Sequence, residues 1–280
     1  MSDSNEPSTP ALEQTTGTRF ERLIQIMRTL RSSKGCPWDR AQTLASLRPF
    51  VLEETYEVLD ALDRGDLTDL QAELGDLLFQ VVFLCQVAAE SGTFTVDDAI
   101  EAITNKLVRR HPHVFGPHGG TPVTRLSTSS EVREQWEDLK AEERAEAGRP
   151  ENLLGGVPAT LPSLLRAFEI GSRVASIGFD WKTSANVVDK IEEEVEDLRQ
   201  AVNADTTERC EEEMGDLLFS IANLSRKLGI EPEGALRRAN QKFCDRFERL
   251  VKRLRAVGRS LQDASFEEME AAWQTAKKES

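Results

Sequence analysis

The sequence predicts an all-α fold built from two tandem repeats of one helical-bundle module. Three observations support this prediction: strand patterns are nearly absent, apolar residues recur with helical spacing, and an acidic pattern of the first half returns in the second. Glu193 follows Glu53 by 140 residues, and Asp216 follows Asp76 by the same 140. Self-similarity at a fixed period is typical of a duplicated structural unit.

Along the chain we expect a tail, two modules and a connector. Residues 1–18 are rich in Ser, Thr, Pro and Glu, which predicts a flexible tail. The first module is predicted over residues 19–147 and the second over residues 163–280. Gly and Pro punctuate the stretch between them, residues 148–162, and this composition predicts a linker.

The middle of each module is expected to be a helical hairpin. Its turn is predicted at residues 63–66 in the first module and at residues 203–206 in the second. Residues three or four apart share one helix face, so each helix presents a group of carboxylates toward the other. These carboxylates are Glu53, Glu54, Glu57, Glu73 and Asp76 in the first module, and Glu193, Glu194, Asp197, Glu213 and Asp216 in the second.

The carboxylate groups have two interpretations. Most charged helix faces are simply solvated. The apolar run from Leu74 to Leu84 instead predicts a largely buried helix, whose carboxylates need a counter-ion, and an all-oxygen set suits Mg²⁺, or Mn²⁺ as a substitute. A di-iron bundle is disfavoured because it needs Glu-x-x-His motifs, whereas His111, His113 and His118 share one loop. We therefore favour a metal site.

Glycine, basic and aromatic residues repeat as well. Gly75 and Gly215 each stand in mid-helix, which predicts a closely packed neighbouring helix. Repetition favours phosphate contact over surface ion pairing for the Lys/Arg pairs, while core packing and base stacking are equally open for the tryptophans. The repeated residues are Lys106, Arg110, Trp136 and Lys140 in the first module, and Lys242, Arg246, Trp273 and Lys277 in the second.

Composition excludes several classes of protein. The net charge of −14 and the pI near 4.9 disfavour binding to nucleic acid, which requires a basic face. No stretch is expected to reach the roughly 20 apolar residues of a membrane span. The polar N-terminal residues do not resemble a signal peptide, so we expect a cytoplasmic protein without a membrane partner.

Several strings of residues together resemble one family. They are Gly-Cys-Pro-Trp-Asp at 35–39, Leu-Glu-Glu-Thr-Tyr-Glu-Val-Leu-Asp-Ala at 52–61, Arg-Arg-His-Pro-His-Val-Phe at 109–115, and Gly-Phe-Asp-Trp at 178–181. With the duplicated acidic pattern, they resemble the MazG-type nucleoside triphosphate pyrophosphohydrolases over residues 19–278. The resemblance implies the all-α NTP pyrophosphatase fold, a homodimer, and Mg²⁺-dependent hydrolysis of NTPs and dNTPs to the monophosphate and pyrophosphate.

The resemblance also implies roles for individual residues. Metal ligands fall on Glu194, Asp197, Glu213 and Asp216 in the second module, and the matching carboxylates of the first are Glu54, Glu57, Glu73 and Asp76. Phosphate and nucleotide contacts fall on Lys242, Arg246, Trp273 and Lys277. From the chemistry of the reaction we expect Glu193, or Glu53 in the first copy, to activate water, and Lys242, Arg246 and Lys277 to stabilise the departing pyrophosphate.

Position 197 is Asp where the family pattern has Glu. A second register, Glu192-Glu193-x-x-Glu196, restores the pattern but breaks the 140-residue offset. We keep the first register. Two other function classes stay open at this stage: a regulatory protein that binds Mg²⁺-nucleotide without turnover, and an acidic helical scaffold for partner proteins.

Overall fold

The computed structural model describes residues 15–116, 153–204 and 206–278, with isolated positions between 126 and 143. These residues form helices joined by turns and contain no strand, which confirms the all-α prediction. Two compact units divide after Glu131. Most of the predicted tail and part of the predicted linker lie outside the described residues, so both stay predictions.

The first unit contains six described helices. They are α1 (Thr16–Arg31), α2 (Pro37–Ala41), α3 (Arg48–Arg64), α4 (Leu67–Glu90), α5 (Val96–Arg110) and α6 (Pro112–Phe115). Helices α3 and α4 pack side by side as the predicted hairpin, and α1 and α5 each contact α4. The core consists of Met27, Leu47, Val82 and Phe83, which places the apolar end of α4 at the centre of the unit.

The turn of this hairpin follows from its sequence. Helix α3 ends at Gly65, whose φ of 68° lies in the left-handed region that favours glycine. Asp66 then caps α4, because its side chain accepts hydrogen bonds from the backbone N–H groups of Thr68 and Asp69. The chain therefore reverses direction within two residues, and the carboxylates of α3 face those of α4.

The second unit repeats the hairpin. Its described helices are α7 (Ser163–Ala175), α8 (Ser184–Asn203), α9 (Thr207–Lys227), α10 (Pro232–Ala256) and α11 (Phe266–Lys278). Helices α8 and α9 form the hairpin, α7 packs against α9, and α10 packs against α11. Fully buried Val187, Ala201 and Ala222 lie between the hairpin helices and their neighbours, so the repeat in sequence is also a repeat in structure.

Basic side chains at helix ends hold the two tryptophan motifs, which are Gly-Cys-Pro-Trp-Asp at 35–39 and Gly-Phe-Asp-Trp at 178–181. In the first unit Arg31 donates to the carbonyl oxygens of Asp39 and Gln42 and pairs with Glu90 at 2.6 Å. In the second, Lys227 pairs with Asp180 at 2.6 Å and donates to the carbonyl oxygen of Trp181. Each motif is thereby fixed to the end of a helix in the core.

Two expectations about the second hairpin helix are wrong for the described residues. Helix α4 was expected to be largely buried, yet Leu74, Leu78 and Val81 are 50, 42 and 45 % exposed, because its described neighbours cover only the other side. We call these three residues the first apolar stripe. The equivalent residues Met214, Leu218 and Ile221 are also exposed and form the second apolar stripe.

The glycine expectation fails for a related reason. A Cβ added at Gly75 or Gly215 meets no described atom within 4 Å, so no described helix approaches either glycine. By length and composition α4 also qualifies as a membrane span, contrary to expectation. A single such helix is weak evidence, since the core helix of a globular protein passes the same test.

Candidate metal centres and nucleotide-binding surface

The first hairpin brings three carboxylates together. Oxygen atoms of Glu54 and Glu57 on α3 and of Glu73 on α4 all lie within 4.8 Å of one another. We call this the first carboxylate cluster. Asp76, one turn after Glu73, lies outside this set of three, although its negative charge still acts on Glu54. Glu53 is exposed beside the cluster.

The second hairpin forms an equivalent group. Oxygen atoms of Glu194 on α8 and of Glu213 and Asp216 on α9 lie within 4.8 Å of one another, and we call these residues the second carboxylate cluster. Glu194 is only 5 % exposed. Glu193 is exposed beside it, and Asp197 does not belong to the set.

The members of the two clusters agree with the first of the two registers of the acidic pattern. Glu194 occupies the position of Glu54, and Glu213 that of Glu73, as the 140-residue offset requires. Glu196 of the alternative register instead forms an exposed ion pair with Arg199. The first cluster includes Glu57, whereas the second excludes its counterpart Asp197. Asp197 is shorter than Glu57 by one methylene group, and the third member of the second cluster is instead Asp216, whose counterpart Asp76 lies outside the first.

Crowding of negative charge acts on the carboxylates of the first cluster. Burial raises the pKa of Glu54, and the charges of Asp76 and Glu57 raise it further, against a hydrogen bond from Gln80 that lowers it. The pKa of Glu73 is raised by burial and by the charges of Glu57, Asp69 and Asp76. A bound cation would remove this repulsion.

The second cluster contains its own positive charges. Lys190 Nζ lies 2.7 Å from a carboxylate oxygen of Glu193 and 2.9 Å from one of Glu194. These two contacts raise the pKa of Lys190 above its ordinary value. Arg209 Nε lies 3.5 Å from Glu213. Sequence analysis overlooked both residues, although the spacing of three and four residues between Lys190 and the two glutamates is a recognisable helical ion-pair pattern.

Both clusters fit a hard divalent cation. Ligand oxygens on opposite sides of an octahedral Mg²⁺ are about 4.2 Å apart, twice the bond length of about 2.1 Å. Three carboxylate oxygens within 4.8 Å of one another therefore need only small adjustments to share one ion. Carboxylate oxygen is also the donor type that Mg²⁺ and Mn²⁺ prefer.

The predicted nucleotide contacts of the second unit lie on two packed helices. Lys242 and Arg246 are one turn apart on α10, and Trp273 and Lys277 are one turn apart on α11. The ring centroids of Phe243 and Trp273 are 5.0 Å apart, so an aromatic surface adjoins the exposed Lys242. Helix α10 also contacts α9, which carries Glu213 and Asp216.

The corresponding residues of the predicted first module are only partly described, and Trp136 and Lys140 follow the division between the units after Glu131. Lys106 and Arg110 are one turn apart on α5, which packs against the helix of Glu73. Trp136 is half-buried, and Lys140 lies outside the described residues. The equivalent of Phe243, at the offset of the basic pair, is Leu107, so this aromatic pair has no counterpart there.

The histidine segment shows no metal geometry in its described part. His111 Nδ1 lies 2.6 Å from the carbonyl oxygen of Leu107, and its ring lies 5.7 Å from that of His113. These are contacts of a helix end with its following turn. His118 lies outside the described residues.

Comparison with known proteins identifies the family. The MazG nucleotide pyrophosphohydrolase domain matches residues 42–115 and 182–251, one copy on each hairpin. A nucleoside triphosphate pyrophosphohydrolase of Escherichia coli (strain K12) is 47% identical over 266 residues, which cover 93% of this chain and 98% of the relative.

Two further relatives are similar over most of this chain, and one of them has a MazG name. The nucleoside triphosphate pyrophosphohydrolase/pyrophosphatase MazG of Thermotoga maritima is 42% identical, with 93% of this chain and 96% of the relative covered. The protein YabN of Bacillus subtilis is 38% identical over 92% of this chain and 51% of its own length. The chain therefore belongs to the MazG nucleotide pyrophosphohydrolase family, with two copies of its domain in tandem.

Proposed function

We propose that the protein hydrolyses nucleoside and deoxynucleoside triphosphates to the monophosphate and pyrophosphate, with Mg²⁺ as cofactor and Mn²⁺ as a possible substitute. The observation that carries this proposal is the second carboxylate cluster, in which a buried Glu194 meets Glu213 and Asp216 across a hairpin. The activities in the names of the relatives support the same reaction.

The chain's own residues divide the work. A divalent cation in the cluster supplies charge neutralisation for the phosphates and a lowered pKa for bound water. Glu193 is exposed next to Glu194 and is the carboxylate that orients and deprotonates the water attacking the α-phosphorus. Lys242, Arg246 and Lys277 bind the phosphates and stabilise the pyrophosphate as it leaves.

The aromatic residues support tolerance toward different bases. Trp273 and Phe243 offer ring faces for stacking, and every base has a face that stacks. Stacking of this kind binds a nucleobase without distinguishing one base from another. We therefore propose a cytoplasmic role in clearing unwanted nucleotides from the pool.

Product analysis tests the reaction. The protein is incubated with Mg²⁺ and each of the common NTPs and dNTPs, and products are resolved by anion-exchange chromatography. We expect monophosphate and pyrophosphate in equal amounts, and no turnover after EDTA treatment. Diphosphate with orthophosphate would refute the reaction type. Nucleotide binding without turnover would indicate a regulatory protein, and absence of binding would indicate a scaffold.

We further propose that the protein is a homodimer in which a second copy covers the apolar stripes. Both units expose three apolar residues at equivalent positions, one helical turn apart, beside a glycine that leaves open space. A continuous apolar surface of this kind typically marks a protein interface. Duplication of the same exposed pattern in both hairpins indicates that both take part.

Light scattering tests the assembly. The wild type is expected at twice the mass of the 31.3 kDa chain, and the double variant Leu78→Glu/Leu218→Glu at the monomer mass. The control Ala72→Glu/Gln200→Glu adds the same charge to the same hairpins at exposed positions outside the stripes and should stay dimeric. A monomeric wild type at micromolar concentration would exclude the dimer.

A further inference from the structure

The two carboxylate clusters share a plan but differ in their surrounding charges. Lys190, which contacts Glu193 and Glu194, occupies the position held by Phe50 in the first unit, 140 residues earlier. Arg209, beside Glu213, stands at the position of Asp69. At both equivalent positions the second unit therefore has a cation where the first has none.

No described basic side chain contacts the carboxylates of the first cluster in this way. Phe50 packs edge-on against Trp38, with ring centroids 5.6 Å apart, and so presents an apolar side chain. Asp69 adds to the negative field at Glu73, and the charge of Arg64, which pairs with Asp69, only partly offsets it. Among the described residues, no ion pair joins Glu54, Glu57 or Glu73 to a basic side chain. The hydrogen bond from Gln80 to Glu54, at 3.3 Å, is the neutral contact in its place.

A lysine in this position competes directly with a metal ion. Its Nζ lies 2.9 Å from an oxygen of Glu194, the most buried carboxylate of the cluster. A divalent cation binding the same carboxylate must displace this ammonium group or tolerate its repulsion at close range. Phe50 exerts no comparable effect on Glu54.

We propose that Lys190 is a built-in counter-cation that weakens the binding of free divalent cations to the second carboxylate cluster, so that without nucleotide the first cluster fills first. This inference depends on the proposed metal sites and adds a ranking between them. The second cluster then takes up its cation together with the nucleotide, whose phosphates provide the additional negative charge. The first cluster holds a cation independently of substrate.

Binding of Mn²⁺ to the full-length protein without nucleotide tests the ranking, with free Mn²⁺ measured by electron paramagnetic resonance. The variant Glu54→Gln/Glu73→Gln, the first background, disables the first cluster, so its Mn²⁺ binding reports on the second. The variant Glu194→Gln/Glu213→Gln, the second background, disables the second cluster and reports on the first. We expect tighter binding when the second cluster is disabled. Adding Lys190→Phe to the first background should tighten Mn²⁺ binding to the second cluster about three- to tenfold. Adding Phe50→Lys to the second background should weaken Mn²⁺ binding to the first cluster by a similar factor.

Controls separate this inference from the proposed function. Lys190→Met removes the charge with less change of shape and gives a second measurement if the Phe variant folds poorly by circular dichroism. Lys252→Met removes an exposed lysine on α10 and should leave Mn²⁺ binding unchanged. No Mn²⁺ binding in either background would refute the metal sites themselves. If both backgrounds bind Mn²⁺ but neither Lys190→Met nor Phe50→Lys changes the affinity, the proposed order of filling is refuted. The metal sites themselves would then still stand.

Discussion

Two differences in membership separate the carboxylate clusters: one concerns Glu57 and Asp197, and the other concerns the aspartates Asp76 and Asp216. Glu57 joins the first carboxylate cluster, whereas its counterpart Asp197 stays outside the second. The missing carbon retracts the carboxylate by about 1.5 Å, the length of one carbon–carbon bond. Mg²⁺ requires ligand distances close to 2.1 Å, so with an ion in the second cluster a water would take the place of a direct ligand from Asp197.

This comparison predicts the effect of exchanging the two side chains. Asp197→Glu should tighten Mn²⁺ binding to the second cluster severalfold, because it extends a fourth carboxylate toward the ion. Glu57→Asp should weaken binding to the first cluster. Both are measured by Mn²⁺ titration in the background that lacks the other cluster. Unchanged affinity in both would show that position 197 does not reach the ion in either form.

At the scale of single elements, ion pairs connect the Gly-Phe-Asp-Trp segment at 178–181 to the end of α9 in the second unit. The carboxylate of Asp180 accepts from Arg226 at 3.2 Å and from Lys227 at 2.6 Å, and all three side chains are largely buried. Burial raises the pKa of Asp180, but the two cations lower it more, so it falls below its usual value. The carboxylate is therefore charged at neutral pH.

We predict that Asp180→Asn lowers the free energy of unfolding by about 2 kcal/mol at pH 7. The expected destabilisation is smaller than that caused by breaking a fully buried ion pair, because solvent still reaches the two cations. A lowered folded-state pKa stabilises the protein above the unfolded-state value of about 3.9, and that contribution is lost as the pH falls through the folded-state pKa. The difference in free energy of unfolding between the wild type and Asp180→Asn should thus be constant from pH 5 to 8 and shrink below pH 4.

Urea denaturation across this pH range measures the effect. Asp189→Asn removes the same charge from an exposed position on α8 and should change stability little. A difference that persists undiminished at pH 3 would mean that Asp180 acts through shape and not through its charge.

At the scale of the whole molecule, duplication has produced two hairpins with unequal surroundings. The second unit places Lys242, Arg246, Trp273 and Lys277 on two packed helices, and Phe243 extends the aromatic surface. The first unit has Leu107 where Phe243 stands. We therefore propose that the second unit is the one that binds the nucleotide, even though its cluster lacks Asp197.

We therefore predict a division of labour between the units. Glu194→Ala or Asp216→Ala should lower turnover at least about tenfold, since each removes a carboxylate that holds the cation. Glu54→Ala or Asp76→Ala should leave a substantial part of the activity. Pyrophosphate release by the four purified variants, assayed side by side, decides the matter. If the first-unit variants are the inactive ones, catalysis belongs to the first unit.

The sequence by itself determined the fold class, the two hairpins and their turns, and the positions of the carboxylates. These features depend on local spacing: Gly65 ends α3, Asp66 caps α4, and residues three or four apart share a helix face. The repeat at 140 residues then predicted that the second half would form the same structure, and family membership followed from the same motifs.

Tertiary structure alone decided which carboxylates meet and what surrounds them. Whether Asp197 joins its cluster depends on distances of about one bond length between two helices, which residue spacing does not specify. Exposure of the apolar stripes depends on which sides of α4 and α9 the other helices cover. The contact of Phe243 with Trp273 joins residues on two different helices, and a pattern within one helix cannot predict such a contact.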